Sequence, residues 1–307
     1  MAESRSQIAG RLEILVGHRV SEHASRSCVG PDWDNTVSPA HFEEFLGHRA
    51  DWTSLSIEGL AKALDQRVAG SEPSYVLTFD DGYKDNIEQA LPVLERFQCA
   101  AIIFVTTGFI GRQTLPPEYA LGAVIRDRSV ILTPDGREVP CRSLDDKWRT
   151  YEALRPGMKR LTSSKRHEYL LELATINGVE LADLHRPYMT WKEVRSLDRH
   201  PLITIGAHSK SHAFLPSLSP IQALREIRGS KLELEERLDH IVPCFSYPYG
   251  GNNRVTRFLV TLSGFRFAFS TEPCRIDQTS TVERYRIPRL DLKQAILGIR
   301  NSDLPES

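Results

Sequence analysis

The amino-acid sequence predicts an α/β fold built on parallel strands. Short apolar runs of strand length recur in both halves of the chain, and apolar residues at helical spacing separate them. Reactive side chains also stand directly after several of these runs, as they do where parallel strands gather chemistry at their carboxyl ends.

Leu12-Glu13-Ile14-Leu15-Val16 reads as the first strand, ending at Gly17-His18. Ser38 followed by Pro39 is a helix start, a capping residue with proline at the first helical position. Phe42, Phe45 and Leu46 give that helix its apolar stripe. A second short helix is expected from Ser56, with Leu60, Ala63 and Leu64 on one face. The run Tyr75-Val76-Leu77 leads into Thr78-Phe79-Asp80-Asp81-Gly82-Tyr83, and Ile87, Ala90, Leu91, Leu94 and Phe97 then follow a helical period. Ala101 to Val105 is a buried strand closed by Thr107-Gly108. From about 112 to 187 the rhythm breaks into a polar stretch rich in Lys and Arg. A hairpin is expected there, from Val130–Thr133 and Arg137–Cys141 around Pro134-Asp135-Gly136, then two amphipathic helices near 144–155 and 163–176. We read 112–187 as a mixed α/β insertion over one face of a single domain spanning 1–307. A separate small domain is the alternative. The rhythm resumes at Trp191. Leu202 to Ala207 is a strand ending at His208, and Ser219-Pro220 starts a long helix with Leu224, Ile227, Leu234 and Leu238 on one side. Val242 to Tyr247 is a strand ending at Pro248-Tyr249-Gly250. Val255, Phe258, Leu259 and Leu262 make a helix face, Phe265 to Phe269 a strand, and Tyr285 to Ile287 the last strand.

Composition excludes several classes. A hydrophobic fraction of 40% and a charged fraction of 26% over 307 residues suit a soluble protein with a sizeable core. A net charge of -1 gives no field favouring nucleic acid or an anionic membrane. The longest apolar run, Cys99 to Val105, is far too short to span a bilayer. Leu12 to Val16 is too short for a signal peptide and is interrupted by Glu13. A cytoplasmic location is expected, although a chain whose leader had been removed would read the same. Cys28, Cys99, Cys141, Cys244 and Cys274 are scattered and odd in number, the pattern of reduced thiols used as small core residues. Nothing in the sequence fixes the oligomeric state.

The chemistry begins at Asp80-Asp81. Adjacent carboxylates at a strand end raise one another's pKa unless their roles are separated, and a metal ion separates them by taking one as ligand and leaving the other as base. His208 and His212, four residues apart, share one face if they lie on a helical turn and can then grip one ion. Ten histidines produce roughly 0.3 such pairs by chance, so spacing alone decides nothing. Position does more, since His18, Asp80-Asp81, His208 and Tyr249 each follow an apolar strand.

Three segments carry a resemblance. Thr78-Phe79-Asp80-Asp81-Gly82, His208-Ser209-Lys210-Ser211-His212 and Phe245-Ser246-Tyr247-Pro248-Tyr249-Gly250 resemble, in order and spacing, the first three motifs of the polysaccharide deacetylases, the NodB-homology domains of carbohydrate esterase family four. The resemblance covers about 15–110 and 188–290. It implies a distorted (β/α) barrel of about seven parallel strands. It also implies Asp80 as catalytic base, Asp81, His208 and His212 as metal ligands, and the backbone N–H of Tyr249 as an oxyanion donor in a groove lined by the third motif. Two departures stand out: Ser246 occupies a position where many members carry Arg, and no histidine follows His240 to supply the usual late general acid. The poly-N-acetylglucosamine deacetylase subgroup draws its acid from a histidine after the first strand, which Gly17-His18-Arg19-Val20 resembles, so His18 takes that role. Arg286-Ile287-Pro288-Arg289 resembles a C-terminal feature of the same subgroup, and Arg289 is expected to pair with Asp80 and keep it ionised.

These assignments describe a metal-dependent hydrolase that removes an N-acetyl group from an N-acetylated sugar, glycan or lipid-linked saccharide. Zinc fits the ligand set best, and cobalt, nickel, iron or manganese are also accepted by such a site. Trp191, Tyr247 and Tyr249 offer flat faces for a sugar ring, with Pro248 between the tyrosines. Hydrolysis of a non-sugar amide or an O-acetyl ester, and a catalytically inactive glycan-binding module, are the alternatives.

Overall fold

The computed structural model describes residues 11–22, 29–65, 72–274, 276 and 282–302. One curled sheet organises it: β1 (Leu12–Gly17), β2 (Thr53–Ser54), β3 (Ser74–Phe79), β4 (Ala101–Val105), β5 (Ile203–Ala207), β6 (Cys244–Ser246), β7 (Phe267–Phe269) and β8 (Leu290–Asp291). Seven of these run in the order β7-β6-β5-β4-β3-β1-β8, with β2 beside the start of β3, and every pairing is parallel. The arrangement is a distorted (β/α) barrel.

Alternation along the strands sorts side chains into two layers. Leu12, Ile14, Val76, Ile102, Phe104, Cys244, Phe267 and Phe269 form one buried cluster inside the curl. Leu15, Leu77, Phe79, Ile103, Val105, Ile205 and Phe245 belong to the larger cluster under the helices. The inner layer is full: a Cβ on Gly206 would lie 2.5 Å from the Phe104 ring and 3.0 Å from Cys244 Sγ. Strands buried on both faces explain why these runs are almost wholly apolar.

The last strand is not Tyr285–Ile287. That segment forms an isolated parallel bridge, Phe269 to Ile287, and β8 pairs with β1 at Leu15–Leu290 and Val16–Asp291. The stretch 284–291 therefore bridges the two edges of the sheet and carries Arg289 between them.

The helices are α1 (Pro39–Gly47), α2 (Ile57–Asp65), α3 (Leu91–Phe97), α4 (Pro117–Arg126), α5 (Leu144–Lys159), α6 (Ser163–Ile176), α7 (Trp191–Asp198), α8 (Pro220–Leu238), α9 (Arg254–Leu262) and α10 (Leu292–Ser302), beside shorter turns. The starts are set by local chemistry. Ser38 caps α1 by accepting from His41 N, and Ser219 with Gln222 closes a reciprocal capping box on α8. In α9 the period is helical but the buried residues are Thr256, Leu259 and Val260. Val255, Phe258 and Leu262 face solvent, contrary to the expected face. Among the described residues no helix is long and apolar enough to cross a membrane.

The stretch 112–187 is less polar than its composition predicts. Its α4 buries Tyr119, Ala120, Leu121, Val124 and Ile125, a helix the sequence reading passed over. The hairpin of Val130–Leu132 and Glu138–Pro140 follows, then α5 and α6. Ile131, Tyr151, Met158, Leu170 and Leu173 join the same hydrophobic cluster as the outer face of the sheet. Cys99, Cys141 and Cys244 are buried, Cys274 is exposed rather than in the core, and Cys28 lies outside the described residues.

Candidate active site

The carboxyl ends of β1, β3, β5 and β6 meet at one rim. β1 and β3 run in register from Leu12–Ser74 to Gly17–Phe79, and Asp80 N donates to Gly17 O at 3.0 Å. His18 and Asp80 thus follow paired residues. The chain then turns sharply, with Asp81 at φ 76° and Gly82 at φ 81°. A left-handed aspartate is uncommon and tends to persist where surrounding structure fixes it. Asp80 and Asp81 are both buried.

Arg289 is 1% exposed and its five N–H donors find five acceptors. Nη1 donates to Asp80 Oδ1 at 2.8 Å and Thr78 Oγ1 at 2.9 Å. Nη2 donates to Asp80 Oδ2 at 2.7 Å and Ser246 Oγ at 2.8 Å, and Nε donates to Ser270 O at 2.9 Å. Ser246 Oγ in turn donates to Asp80 Oδ2 at 3.2 Å. The small Ser246 leaves room for this guanidinium. Burial alone raises the Asp80 carboxyl, but Arg289 and then His208 outweigh it and hold it down to about 2.

His208 follows β5, and its Nδ1–H donates to Ser246 O at 2.8 Å, which turns Nε2 inward. Nε2 lies 3.4 Å from Asp81 Oδ1 and 3.9 Å from Asp80 Oδ2. His212 Nε2 lies 3.3 Å from the same Asp81 Oδ1. The two histidines do not sit on a helical turn. They occupy an irregular loop in which Ser209 (φ 63°) and His212 (φ 53°) are left-handed and His212 N donates to Ser209 Oγ. Two charged side chains absent from the sequence reading clamp this loop. Glu226 of α8 accepts from Lys210 N at 3.0 Å, Ser211 N at 2.8 Å and Ser211 Oγ at 2.7 Å. Buried Arg166 of α6 donates to Ser211 O and, at 3.1 Å, to His212 O. No local spacing announces either contact, because each joins residues from separate elements.

Asp81, His208 and His212 place one carboxylate oxygen and two imidazole nitrogens within 4.8 Å of one another. Asp81 Oδ1 is buried without a hydrogen-bond donor, as is His212 Nδ1 without a partner. Burial first, then the neighbouring His208 charge, push His212 down to about 4 against the pull of Asp81, so its imidazole is neutral at physiological pH. A buried carboxylate oxygen facing two imidazole Nε2 atoms, with no proton donor of its own, is the donor set that a borderline divalent cation satisfies.

The remaining residues divide. His18 is half-buried, its carbonyl accepts from Asn86 Nδ2 at 2.9 Å, and its charge helps lower both aspartates. Tyr249 (φ 57°) sets its ring 4.4 Å from that of His212 and donates its hydroxyl to Glu118 Oε1 at 2.7 Å. Among the described residues its backbone N–H has no backbone acceptor. Pro248, beside it, is buried. Tyr247 offers no face to a ligand: it is fully buried against Phe245 and donates to Tyr285 O. Trp191 is not brought to the cluster either, since its ring lies under the Arg237 guanidinium, 5.2 Å away at the far end of α8.

The comparisons with known proteins agree with this picture. A family model described as Polysaccharide deacetylase matches residues 67–268. The Bacillus subtilis (strain 168) protein YxkH, whose name places it among the polysaccharide deacetylases, is 20% identical over 269 residues, covering 88% of this chain and 67% of its own. In fold the chain is similar to the Streptococcus pyogenes deacetylase PplD, with a TM-score of 0.63 at 16% identity over 96% of this chain and 99% of that one. It is also similar to IcaB from Ammonifex degensii (TM-score 0.59, 15% identity, 95% and 96% covered) and to the deacetylase domain of BpsB from Bordetella bronchiseptica (0.55, 17%, 92% and 95%).

Proposed function

The chain belongs to the polysaccharide deacetylase family, and from that premise we propose that it hydrolyses the N-acetyl group of an N-acetylated sugar or glycan with a divalent metal ion held by Asp81, His208 and His212. We read 112–187 as an insertion within that one catalytic domain. The observation that carries the reading is the orphaned Asp81 Oδ1 between two imidazole Nε2 atoms, directly beside an Asp80 that Arg289 keeps ionised.

A divalent ion held there, zinc by ligand type, would supply Lewis acidity toward a water and the acetyl carbonyl. Asp80 accepts the proton of the attacking water as its oxygen bonds to the acetyl carbon. So strongly held a carboxylate is a weak base, and it stays anionic and fixed in orientation rather than being tuned toward neutral pH. The backbone N–H of Tyr249 donates to the oxyanion that develops on the former carbonyl. His18 gives a proton to the nitrogen as the C–N bond breaks, because an amine leaves readily only when protonated. Acetate and a free amino sugar result. His208 keeps its tautomer through Ser246 O, and Glu226 and Arg166 hold the loop that presents His212.

The test is acetate release from N-acetylglucosamine oligomers, before and after chelation and after divalent metal is restored. Loss on chelation, recovery with metal, and at least about a thousand-fold loss in His208→Ala are expected. Activity unchanged by thorough chelation would overturn the metal assignment.

A further inference from the structure

Much of the basic charge in 112–187 is solvated. Arg137 and Arg149 are exposed and pair with the neighbouring Asp135 and Asp146. Lys159, the last residue of α5, is placed differently. Its Nζ lies 4.5 Å from the centre of the Phe214 ring and 4.6 Å from that of Tyr249. The Tyr249 ring is itself packed on His212. The ammonium therefore stands one aromatic ring away from the Asp81–His208–His212 cluster.

Ring faces attract a cation but do not neutralise it. Among the described residues no carboxylate lies in ion-pair distance of Lys159. The acid that acts on it, Glu118, already accepts the Tyr249 hydroxyl. Arg155, one turn earlier on α5, pairs with Glu152 at 3.4 Å and also acts on Glu118 and Tyr249, so it adds positive charge beside Lys159 without supplying a carboxylate to it. Burial and then Arg155 push the Lys159 ammonium below its usual range, as expected of a half-buried charge short of counter-charge. The carboxylates deeper in the site do not oppose an incoming anion: Asp80 is neutralised by Arg289 and Asp81 by the cation it would hold.

From this placement we infer that Lys159 binds an anionic group of the substrate, a phosphate or carboxylate carried beside the scissile acetamide, so that charged N-acetylated glycosides are preferred to neutral ones. The inference takes its location from the deacetylase reading, and its test is independent of turnover. The full chain is titrated calorimetrically at low ionic strength with glucosamine 1-phosphate, with a glucosaminyl-glucuronate disaccharide and with methyl glucosaminide, none of which carries an acetyl group. At least one of the two anionic ligands is expected to bind about ten-fold or more tighter than the neutral one. The ratio should shrink in 0.3 M salt to roughly a third or less of its low-salt value, fall to about one in Lys159→Met, and be largely retained in Lys159→Arg. Which anion shows it identifies phosphate or carboxylate as the partner. Equal affinities for all three ligands, or a ratio that survives Lys159→Met, overturn the inference. If Lys159→Met does not melt like the wild type, the salt dependence of the wild-type ratio decides. Acetate release from neutral N-acetyl glycosides is scored separately. A preserved ratio without acetate release overturns the deacetylase reading alone, and acetate release without a ratio overturns this inference alone.

Discussion

Asp80 and Asp81 share a peptide bond and little else. Both oxygens of Asp80 meet guanidinium N–H groups, and Ser246 adds a third donor. Asp81 Oδ1 meets two imidazole nitrogens and no donor. A buried carboxylate needs counter-charge or protonation. The fold builds that counter-charge into the chain for Asp80, and under the proposed function Asp81 would take its counter-charge from a bound cation. The largest expected effect separates the two directly. Asp81→Asn should lose its divalent metal, measured by elemental mass spectrometry after gel filtration, together with nearly all acetate release. Asp80→Asn should keep stoichiometric metal while losing about 10²–10⁴ of the rate. Equal metal loss in both variants would erase the distinction.

The next effect tests the built-in counter-charge. Arg289→Met leaves the Asp80 carboxylate buried and unpaired, which costs about 3–5 kcal/mol. The pH dependence carries the sign. In the wild type the folded Asp80 carboxyl lies at about 2, below its ordinary value of 3.8. Its contribution is therefore fully present above pH 3.8 and is lost as pH falls through about 2. Without Arg289 burial dominates and the carboxyl rises, so the unpaired charge destabilises at neutral pH and the penalty eases as the group protonates on acidification. Melting temperatures between pH 2 and pH 8 should fall toward acid in the wild type. In the variant they should be depressed at pH 7 and recover toward pH 5. Parallel profiles would show that Arg289 does not set the state of Asp80.

The same contrast explains what was legible in the sequence. The strands at 12–16, 75–79 and 101–105 are buried on both faces and mostly apolar, so their runs read directly, and Ser38-Pro39 and Ser219-Pro220 mark helix starts by side-chain chemistry alone. The reactive residues at strand ends follow from strand position. Orientation does not. Tyr247 and Tyr249 are two residues apart, yet one closes the core and the other packs on His212, because the chain has left β6 at Ser246 and turns left-handed at Tyr249. The spacing of His208 and His212 matches a helical turn, but two left-handed residues bring them together instead. In α9 the period is right and the phase is wrong, since Thr256 rather than Phe258 packs inward. Glu226, Arg166 and Glu118 reach their partners across 15, 46 and 131 residues of chain, and no local pattern encodes such contacts. The buried α4 was hidden by the mean polarity of the stretch around it.

Ser246 gives the finest probe of the Asp80 half. Its hydroxyl accepts from Arg289 Nη2 and donates to Asp80 Oδ2, so it completes the pair without carrying charge. Ser246→Ala leaves the salt bridge in place and withdraws one of the five acceptors of a buried guanidinium. A single unmet buried donor costs about 1–3 kcal/mol, and the bidentate contact to Asp80 retains most of the orientation. A modest drop in melting temperature is expected, with acetate release reduced by about ten-fold or less and metal content unchanged. The backbone carbonyl of residue 246, which fixes the His208 tautomer, survives the substitution. Metal loss in Ser246→Ala would therefore mean that the two halves are coupled through this residue, and the separation of roles between Asp80 and Asp81 would not hold.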